Sequence, residues 1–576
     1  MSESRAEARV STADLRGASG EPRASRETTR WAVVAWASVV LGAVLRVRGV
    51  GATPLFDDEY HTRYSVEEGL SSLIATFDAH GSHAALPLVQ NLSIALLGPG
   101  VVSMRAVSVA AGVLTLALLF AVGRRLVGDG PAALATLALA VSPAHLFYSR
   151  FGRGYALLVL IAALLVGVLH RATQAQRRGG SAWPWWSAVA VCAGVLPWVH
   201  LSGAGFSLAM GVYAIAAGAA ERSTAGARSG GVVPAAAAFG AGALICALLY
   251  SPAWDGLQEF AGRVANNATW RPATVSGVAL LLFGGAIPAV VCGIGAPASL
   301  VGSFRRGHRE TSGLLAAALL GPLAMLAFTR PYGSEYAWSR YLLTALPFAL
   351  LAVTWGIHLA VERAAIPATA LVSSLASVGF LVAPVAWGPL AFGRVSAPAL
   401  GNTYLALHPV EAFDVPHPGT PRLYADLARD TGTHRILEAQ PLLSRAVLLY
   451  RNYALQHGKD VVFGWFETLP ASQGDDRYVD LSSAAAWNSE IEADVLVVHR
   501  DLEREVKSYW RFVHGEADRE NWGPTERGLW QLYRDSRVED HPTAKPQFAL
   551  EIERLARRRF GVPDYTDEQV WAWRLR

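Results

Sequence analysis

Long apolar runs are the feature that most restricts how this chain can fold. Between residues 31 and 388, apolar runs of about twenty residues follow one another and are separated by short polar segments. A helix of about twenty apolar residues crosses the roughly 30 Å hydrocarbon layer of a bilayer. Only 17% of the 576 residues are charged, against about 25% in ordinary soluble domains. We therefore predict an all-α, polytopic membrane domain over residues 31–390.

The number of spans depends on one weak segment, residues 84–98, which is short, amphipathic and flanked by polar residues. If this segment lies at the membrane interface, the chain crosses the membrane about eleven times. The predicted spans are then 31–50, 104–124, 130–148, 154–170, 183–200, 202–220, 232–251, 274–298, 311–329, 339–360 and 366–388.

The arginines give this topology an orientation. With 84–98 at the interface, one side of the membrane receives the following basic residues: Arg5, Arg9, Arg16, Arg23, Arg26, Arg30, Arg124, Arg125, Arg171, Arg177, Arg178, Arg222, Arg228, Arg305, Arg306, Arg309 and Arg363. Basic loops stay in the cytoplasm, so we predict that the N-terminus is inside and the C-terminus outside. The dominance of arginine over lysine, beside abundant Ala and Gly, is typical of a GC-rich bacterial genome, which predicts the bacterial cytoplasmic membrane.

Both ends of the chain are polar. Residues 1–30 are rich in Arg, Ser and Glu and are predicted to be a disordered cytoplasmic tail. Residues 391–576 are predicted to form a small α/β domain outside the membrane. Helix-like and strand-like patterns alternate there, with helices at 424–431 and 443–457 and strands at 460–463 and 494–499.

An acidic cluster, Asp57-Asp58-Glu59, lies in the first predicted outer loop, directly after the first span. Three adjacent carboxylates repel one another unless a cation offsets them. Such a triplet is either a solvated loop or a functional group. Its place after a helix end, among aromatic residues and before an interfacial segment, favours function.

Several arginines fall on the outer side, against the topology rule, and Arg150, Arg153 and Arg340 are among them. Their side chains either reach lipid headgroups or bind an anion at the membrane surface. Guanidinium groups suit phosphate oxygens. A carboxylate base beside such arginines describes attack of an acceptor hydroxyl on a sugar carried by a lipid phosphate.

Five local motifs resemble the GT-C superfamily of membrane glycosyltransferases, in particular the branch of dolichyl-phosphate-mannose protein mannosyltransferases and aminoarabinose transferases. They cover residues 31–390 in order. They are Asp58-Glu59-Tyr60, His83-Ala84-Ala85-Leu86, the segment from Arg105 to Gly128, the segment from Ser142 to Tyr155, and Arg340-Tyr341-Leu342-Leu343 with Pro347.

The resemblance implies an inverting transferase that uses a polyprenyl-phosphate sugar. Asp58 would be the general base, and Glu59 would orient the acceptor or help to bind a cation. The donor phosphate would be contacted by Arg153 and Arg340, with Arg150 as a further candidate from the outer arginines. Residues of the same motifs are expected near the substrate, namely Tyr60, His83, Tyr155 and Tyr341.

Two departures from the family pattern affect these roles. Ala84 and Ala85 stand where two prolines are common, which affects the role of His83. Phe151 stands where relatives carry an acid that helps to hold a divalent metal. The sequence therefore implies no cofactor, and it leaves dependence on a divalent cation and the metal ligands open.

A different class of function, a multi-spanning transporter or flippase of a lipid-linked glycan, remains as the alternative. Transporters place ionisable residues near the midplane, often in broken helices of repeated halves. Here the charges lie at span ends, which favours surface chemistry. The expected partners are a polyprenyl-phosphate-linked sugar, membrane lipids and an acceptor glycan, lipid or protein. A net charge of +4 does not indicate nucleic acid.

Overall fold

The computed structural model describes residues 21–48, 50, 59, 62, 70–75, 77, 84–98, 100–225, 231–265, 275–283, 286–329, 335–363, 419–440, 446–465, 478–481, 483, 487–488, 490–514 and 544–575. The N-terminal part is helical. Its α-helices are α1 (Glu21–Val47), α2 (Leu70–Ala75), α3 (Ala85–Leu97), α4 (Val101–Val127), α5 (Asp129–Ala140), α6 (Pro143–Arg150), α7 (Tyr155–Arg177), α8 (Trp183–Val199), α9 (Gly203–Ala225), α10 (Val232–Tyr250), α11 (Trp254–Ala265), α12 (Val275–Phe283), α13 (Ala286–Arg305), α14 (Arg309–Thr329), α15 (Glu335–Tyr341) and α16 (Leu346–Arg363).

Helix α4 lies at the centre of the bundle and packs against α1, α3, α5, α6 and α7. Its side chains Leu116 and Leu119 are fully buried, while Leu244 and Leu248 of α10 are 61% exposed. Apolar side chains on the outside of a helical bundle are expected where the surrounding solvent is lipid. Six of the described helices are long and apolar enough to cross a membrane, or seven if α5 and α6 form one bent span. The helical membrane architecture is confirmed, whereas a total of eleven spans stays a prediction.

The predicted span 130–148 is not one straight helix. It consists of α5 and α6, which meet at an angle of 60°. Pro143 begins α6, and a proline has no N–H to continue the hydrogen-bond ladder of α5. Ser142, the residue before it, is extended (φ −63°, ψ 123°), as a residue before proline prefers. The hydropathy of the segment predicted the apolar run but not the bend between α5 and α6.

Two further predicted spans have different boundaries in the structure. The prediction 274–298 corresponds to two helices, α12 and α13. The prediction 339–360 corresponds to α15, a turn of 3₁₀ helix at Leu343–Ala345, and α16. Pro347 near the start of α16 supplies no N–H, which fits the start of a helix better than its interior. The predicted span 366–388 lies outside the described residues.

The first helix also differs from its prediction, because α1 begins at Glu21. Part of the tail predicted to be disordered is therefore helical, while residues 1–20 lie outside the described chain. Arg, Glu and Ala are good helix formers, which explains how the apolar helix extends into this polar segment.

Helix α3 corresponds to the weak segment 84–98. Its 13 residues are about 20 Å long, too short for the hydrocarbon layer. One face, which includes Gln90 and Ser93, is buried, while Leu92 and Leu96 are exposed. Gln90 Nε2 donates to the carbonyl oxygen of Met104 at 2.5 Å, which fixes α3 to α4. These dimensions agree with the interfacial placement.

The C-terminal part is an α/β unit, as predicted. Its elements are α17 (Arg422–Arg429), β1 (Arg435–Glu438), α18 (Ala446–His457), β2 (Asp460–Trp465), β3 (Tyr478–Asp480), β4 (Val495–His499), α19 (Leu502–His514), α20 (Pro546–Phe560), β5 (Tyr565–Thr566) and β6 (Val570–Arg574). The strand order is β3-β2-β1-β4-β6-β5; the first four strands are parallel and the last two pair antiparallel. Alternate residues of the strands pack on opposite faces, with Ile436 and Val497 on one side and Leu437 and Leu496 on the other.

A buried charged network joins the carboxyl ends of β1 and β4. His499 Nε2 lies 3.0 Å from Glu438 Oε2, and its Nδ1 lies 2.9 Å from Glu505 Oε2. Two carboxylates can both accept from one imidazole only if both ring nitrogens carry hydrogen, so the ring is cationic. The hydroxyls of Tyr424 and Tyr453 donate to Glu438 and Glu505 at 2.7 and 2.8 Å. Burial opposes the charge, but attraction to the two carboxylates outweighs it and raises the pKa of His499 to about 10.

We expect the stability of this α/β unit to fall between about pH 6.5 and pH 10. An unfolded histidine titrates near 6.5, so the raised folded pKa of His499 stabilises fully below that pH. This contribution disappears as the pH rises through about 10. Burial raises the pKa of Tyr424 and Tyr453 well above the ordinary value, so both hydroxyls stay protonated in this range.

Urea unfolding of the full chain in detergent, followed by tryptophan fluorescence at a series of pH values, measures this dependence. The control is His499→Gln, which lacks the titrating group and should give a flatter profile over the same range. Equal pH profiles for the two proteins would contradict the assignment of the charge to His499.

Candidate active site

A buried ion pair ties the acidic cluster to the start of α4. Arg105 Nε donates to Glu59 Oε1 at 2.8 Å, and Arg105 Nη2 donates to Glu59 Oε2 at 2.7 Å. Glu59 is 0% exposed and Arg105 is 5% exposed. Arg105 Nη1 also donates to the carbonyl oxygen of Val50 at 2.9 Å. The fork therefore holds the first predicted outer loop at both its beginning and its acidic cluster.

Glu59 also joins this loop to the α6–α7 loop, residues 151–154. The backbone N–H of Gly152 donates to Glu59 Oε1 at 2.6 Å. A Cβ at Gly152 would lie 2.9 Å from that oxygen and 3.2 Å from the carbonyl oxygen of Met104, so a larger residue would force the loops apart. Gln90 Nε2 reaches the carbonyl oxygen of Gly152 at 3.4 Å. Two segments that are distant in the sequence are thus fixed side by side.

Arg153 occupies the same junction. Its Nη1 donates to Thr62 Oγ1 at 3.2 Å, and its carbonyl oxygen accepts from Ser108 Oγ at 3.2 Å. The contact with Thr62 brings the Arg153 side chain to the first predicted outer loop, just after the acidic cluster. Its role in binding a donor phosphate stays a prediction.

Arg340 belongs to the same end of the bundle. Its guanidinium carbon lies 5.7 Å from the ring centre of Tyr155 and 5.1 Å from that of Tyr341, both within cation–π range. Tyr155 begins α7, immediately after the α6–α7 loop. The structure therefore brings Arg153, Tyr155, Arg340 and Tyr341 together at the start of α7.

Arg150 lies among other cations. Arg48 and Arg105 are close enough to repel its charge, and Arg46 interacts with it from α1. The Glu59 carboxylate offsets Arg105. Together with Arg153 and Arg340, these residues place several positive charges among the described residues at this end of the bundle. Such a surface attracts anions.

Arg46 has a structural role that distinguishes it from the other arginines here. It is fully buried, and its Nη1 donates to the carbonyl oxygens of Gly42 at 2.8 Å and Ala140 at 3.1 Å. Ala140 is the last residue of α5, so its carbonyl oxygen has no N–H donor from a following helical turn. Arg46 supplies a donor to this oxygen. Its Nη2 contacts His145 Nδ1 of α6 at 2.6 Å. Arg46 thereby stabilises the bend between α5 and α6.

A second amphipathic helix, α11, packs on the first predicted outer loop. Phe77 of that loop contacts Phe260 of α11 and Tyr250 of α10, with ring centres 5.3 and 6.0 Å apart. Gly256 permits this approach, because a Cβ there would lie 2.6 Å from the carbonyl oxygen of Phe77. Helix α11 thus restrains the loop that carries the acidic cluster.

Phe151, in the α6–α7 loop, packs among other aromatic side chains. Its ring is 3% exposed, stacks on Phe147 at 5.0 Å and meets Tyr148 edge-on at 6.3 Å. Among the described residues, no group of three His, Cys, Asp or Glu side chains is arranged to hold a metal.

Some predicted site residues lie outside the described chain, namely Asp57, Asp58, Tyr60 and His83. Glu59, Arg150, Arg153, Tyr155, Arg340 and Tyr341 lie inside it. Arg105 was not predicted as a site residue. An arginine near the start of an apolar run needs a buried partner, and this was the signal that could have identified Arg105. Gln90 and His200 were also not predicted, and no comparable signal exists for them.

The segment from residue 84 to residue 250 matches the model of the family described as dolichyl-phosphate-mannose-protein mannosyltransferase. No curated protein matches the chain in a sequence comparison. The matched segment contains Arg105, Gly152, Arg153 and Tyr155. It does not include the acidic cluster or Arg340.

Solved structures with a similar fold include ArnT from Cupriavidus metallidurans bound to undecaprenyl phosphate. It is 17% identical, with a TM-score of 0.51, and the match covers 81% of this chain and 93% of ArnT. The oligosaccharyltransferase AglB from Archaeoglobus fulgidus, in complex with an inhibitory peptide and a dolichol-phosphate, is 11% identical with a TM-score of 0.45; that match covers 85% of this chain and 72% of AglB.

The family match and the fold shared with ArnT confirm the resemblance that the sequence motifs indicated. The chain resembles the membrane glycosyltransferases of the GT-C superfamily, in the branch of protein mannosyltransferases and aminoarabinose transferases.

Proposed function

We propose that this chain transfers a sugar, with inversion, from a polyprenyl-phosphate donor to an acceptor hydroxyl. The reaction takes place at the outer face of the bacterial cytoplasmic membrane. The orientation follows from the arginine distribution, which keeps the N-terminus in the cytoplasm and exposes the first predicted outer loop and the α6–α7 loop on the other side.

The observation that carries this proposal is the clamp formed by Glu59, Arg105 and the backbone N–H of Gly152. It fixes the acidic first loop against the α6–α7 loop, beside Arg153. Asp58 is covalently next to Glu59, and consecutive Cα atoms are only about 3.8 Å apart. We therefore assign the carboxylate base to the same end of the bundle as this group of arginines.

In the proposed reaction, the acceptor oxygen forms a bond to the anomeric carbon of the donor sugar. The bond between that carbon and the phosphate oxygen breaks, and the polyprenyl phosphate leaves with the electron pair. Asp58 takes the proton of the acceptor hydroxyl as general base. Arg153 and Arg340 stabilise the negative charge that grows on the departing phosphate, and Arg150 adds to the positive field.

Glu59 receives a positioning role in this scheme. Both of its carboxylate oxygens accept hydrogen bonds from Arg105 or Gly152, and the side chain is fully buried. Glu59 thus holds the loop on which Asp58 lies. Tyr155 and Tyr341 hold Arg340, and we place Tyr60 and His83 near the substrate on the strength of their motifs.

Two similarities support the choice of donor. The description of the matching family names dolichyl-phosphate-mannose, and the structure of ArnT contains bound undecaprenyl phosphate. Both ligands are a phosphate on a polyprenyl chain. The positive end of this bundle and its lipid-facing helices suit the two parts of such a molecule.

The test uses membranes that contain the protein and a panel of radiolabelled polyprenyl-phosphate sugars, with matched nucleotide sugars as the comparison. We expect label to move from at least one lipid donor to an acceptor fraction and expect none from the nucleotide sugars. Membranes without the protein provide the background.

The same assay distinguishes a transferase from the alternative class of function. A transporter or flippase would move the labelled donor across the bilayer of a sealed vesicle and leave the bond between sugar and phosphate intact. Label that changes sides but stays on the lipid would reject the transferase proposal.

A further inference from the structure

His200 directly follows Val199, the last residue of α8, and lies in a tightly fixed turn. It is 9% exposed and extended (φ −164°, ψ 132°), and only three residues separate α8 from α9. The N–H of Gly203, the first residue of α9, donates to the His200 carbonyl oxygen at 2.8 Å. A Cβ at Gly203 would lie 2.7 Å from the carbonyl oxygen of Leu196, so the turn requires glycine there.

The imidazole of His200 is also fixed by its own turn. The backbone N–H of Ser202 donates to His200 Nδ1 at 3.2 Å, and the Ser202 hydroxyl lies 2.8 Å from the same nitrogen. Because Nδ1 accepts from a backbone N–H, the neutral ring carries its proton on Nε2. The ring therefore has one defined tautomer and one defined orientation.

This ring contacts both tyrosines that flank Arg340. The ring centres of His200 and Tyr155 are 5.0 Å apart, and those of His200 and Tyr341 are 5.3 Å apart. The Arg340 guanidinium lies over the same two tyrosines. Histidine, tyrosine, arginine and tyrosine thus form a closed set of four contacts, in which His200 and Arg340 both bridge the tyrosine pair.

We propose that His200 is a positioning residue that fixes the Arg340 guanidinium for the donor phosphate. It acts through the two tyrosine rings, whose spacing its imidazole sets. This inference rests on the proposed function, since Arg340 is assigned there to the phosphate of a polyprenyl-phosphate donor. It adds a residue from the turn between α8 and α9, where the sequence indicated no functional side chain.

Three features favour a positioning role over simple core packing. His200 comes from a short turn that both its backbone and its side chain hold in place. It contacts residues of α7 and α15, two elements that lie far apart in the chain. A Cβ at Gly154 would lie 3.1 Å from the carbonyl oxygen of Val199, so the start of α7 is pressed against the residue before His200.

Two complementary variants distinguish the contribution of the aromatic ring from that of the Nδ1 acceptor. His200→Phe keeps an aromatic ring and loses the acceptor for the Ser202 N–H. His200→Asn keeps an acceptor oxygen near the Nδ1 position and loses the ring. Binding of undecaprenyl phosphate to the purified full chain in nanodiscs is measured by tryptophan fluorescence, with His358→Ala, a half-exposed histidine of α16, as the matched control.

We expect His200→Asn to weaken binding about tenfold, as the loss of two aromatic contacts implies. His200→Phe should bind within about threefold of the wild type, and His358→Ala should be unchanged. The double variant His200→Asn/Arg340→Ala should bind no more weakly than Arg340→Ala, because His200 acts only through Arg340.

The experiment distinguishes failure of the proposed function from failure of the positioning role of His200. If the wild type does not bind undecaprenyl phosphate, the proposed function fails, and this inference fails with it. If the wild type binds and His200→Asn binds equally well, or if the losses in the double variant add, the proposed function stands and the positioning role of His200 is rejected. A weak His200→Phe beside a normal His200→Asn would also reject it, since the turn and not the ring would then matter.

Discussion

Asp58→Asn is expected to lower the rate of sugar transfer by about 10²–10⁴-fold, the range that a general base contributes. Asparagine has nearly the same shape as aspartate but cannot accept the proton of the acceptor hydroxyl at neutral pH. Because the two side chains have nearly the same shape, the melting temperature should change little while the chemistry is lost.

The measurement compares initial rates of label transfer at saturating donor, together with melting temperatures in detergent. Asp57→Asn is the matched control, because it removes the same charge one residue earlier in the chain. We expect a much smaller effect from it. Equal rates for Asp58→Asn and the wild type would reject Asp58 as the base, and an equal loss in both variants would indicate the charge of the loop and not a specific base.

Arg105→Ala is expected to destabilise the protein by about 3–5 kcal/mol, the effect of removing one partner from a buried ion pair. The substitution leaves the fully buried Glu59 carboxylate without its two guanidinium hydrogen bonds and removes the donor to the carbonyl oxygen of Val50. The first loop should then separate from the α6–α7 loop. Transfer activity should fall with it, because the loop that contains the proposed base is no longer held beside Arg153.

A partly exposed ion pair in the same bundle provides the control. Arg124 and Asp129 are 2.9 Å apart, with side chains 41% and 23% exposed. Arg124→Ala should cost at most about 1 kcal/mol, as exposed pairs do. Thermal unfolding in one detergent compares the two variants, and a loss for Arg105→Ala no larger than that for Arg124→Ala would contradict the clamp.

A double variant tests whether the unpaired Glu59 charge causes the loss of stability in Arg105→Ala. Arg105→Met with Glu59→Gln removes both charges and should be less destabilised than the sum of the two single variants, because neither group is left as an isolated buried ion. Activity should stay low in the double variant, since the fork that holds the loop is gone. Additive losses in stability would show that packing, and not the charge pair, dominates.

Hydropathy and local pattern determined much of the architecture. An apolar run must reach a minimum length to cross a membrane, and that length can be read directly along the chain. The helix near 104–124 was therefore predicted to within three residues at each end, while the helix predicted at 154–170 extends to Arg177. The strands near 460–463 and 494–499 were predicted to within two residues from their local pattern. The motifs of the first loop, the α6–α7 loop and α15 were found in the same way, because each is a short continuous segment.

Tertiary structure alone decided which of these residues meet. Glu59 lies 46 residues from Arg105 and 93 residues from Gly152, and no local pattern encodes such a pairing. The bend at Pro143 was visible as a proline, but the partner that stabilises it, Arg46, comes from α1. A buried polar group must find its hydrogen bonds wherever packing supplies them.

The site illustrates the same division. The sequence by itself predicted the acidic cluster, Arg153 and Arg340 as site residues, because charged residues in the predicted outer loops contrast with the apolar runs around them. It could not show that Arg105 holds Glu59, or that His200 reaches the rings beside Arg340, since these roles depend on distances between helices. The sequence determined the residue types and predicted their side of the membrane; the packing of α4, α7, α8 and α15 decided which of the described residues meet.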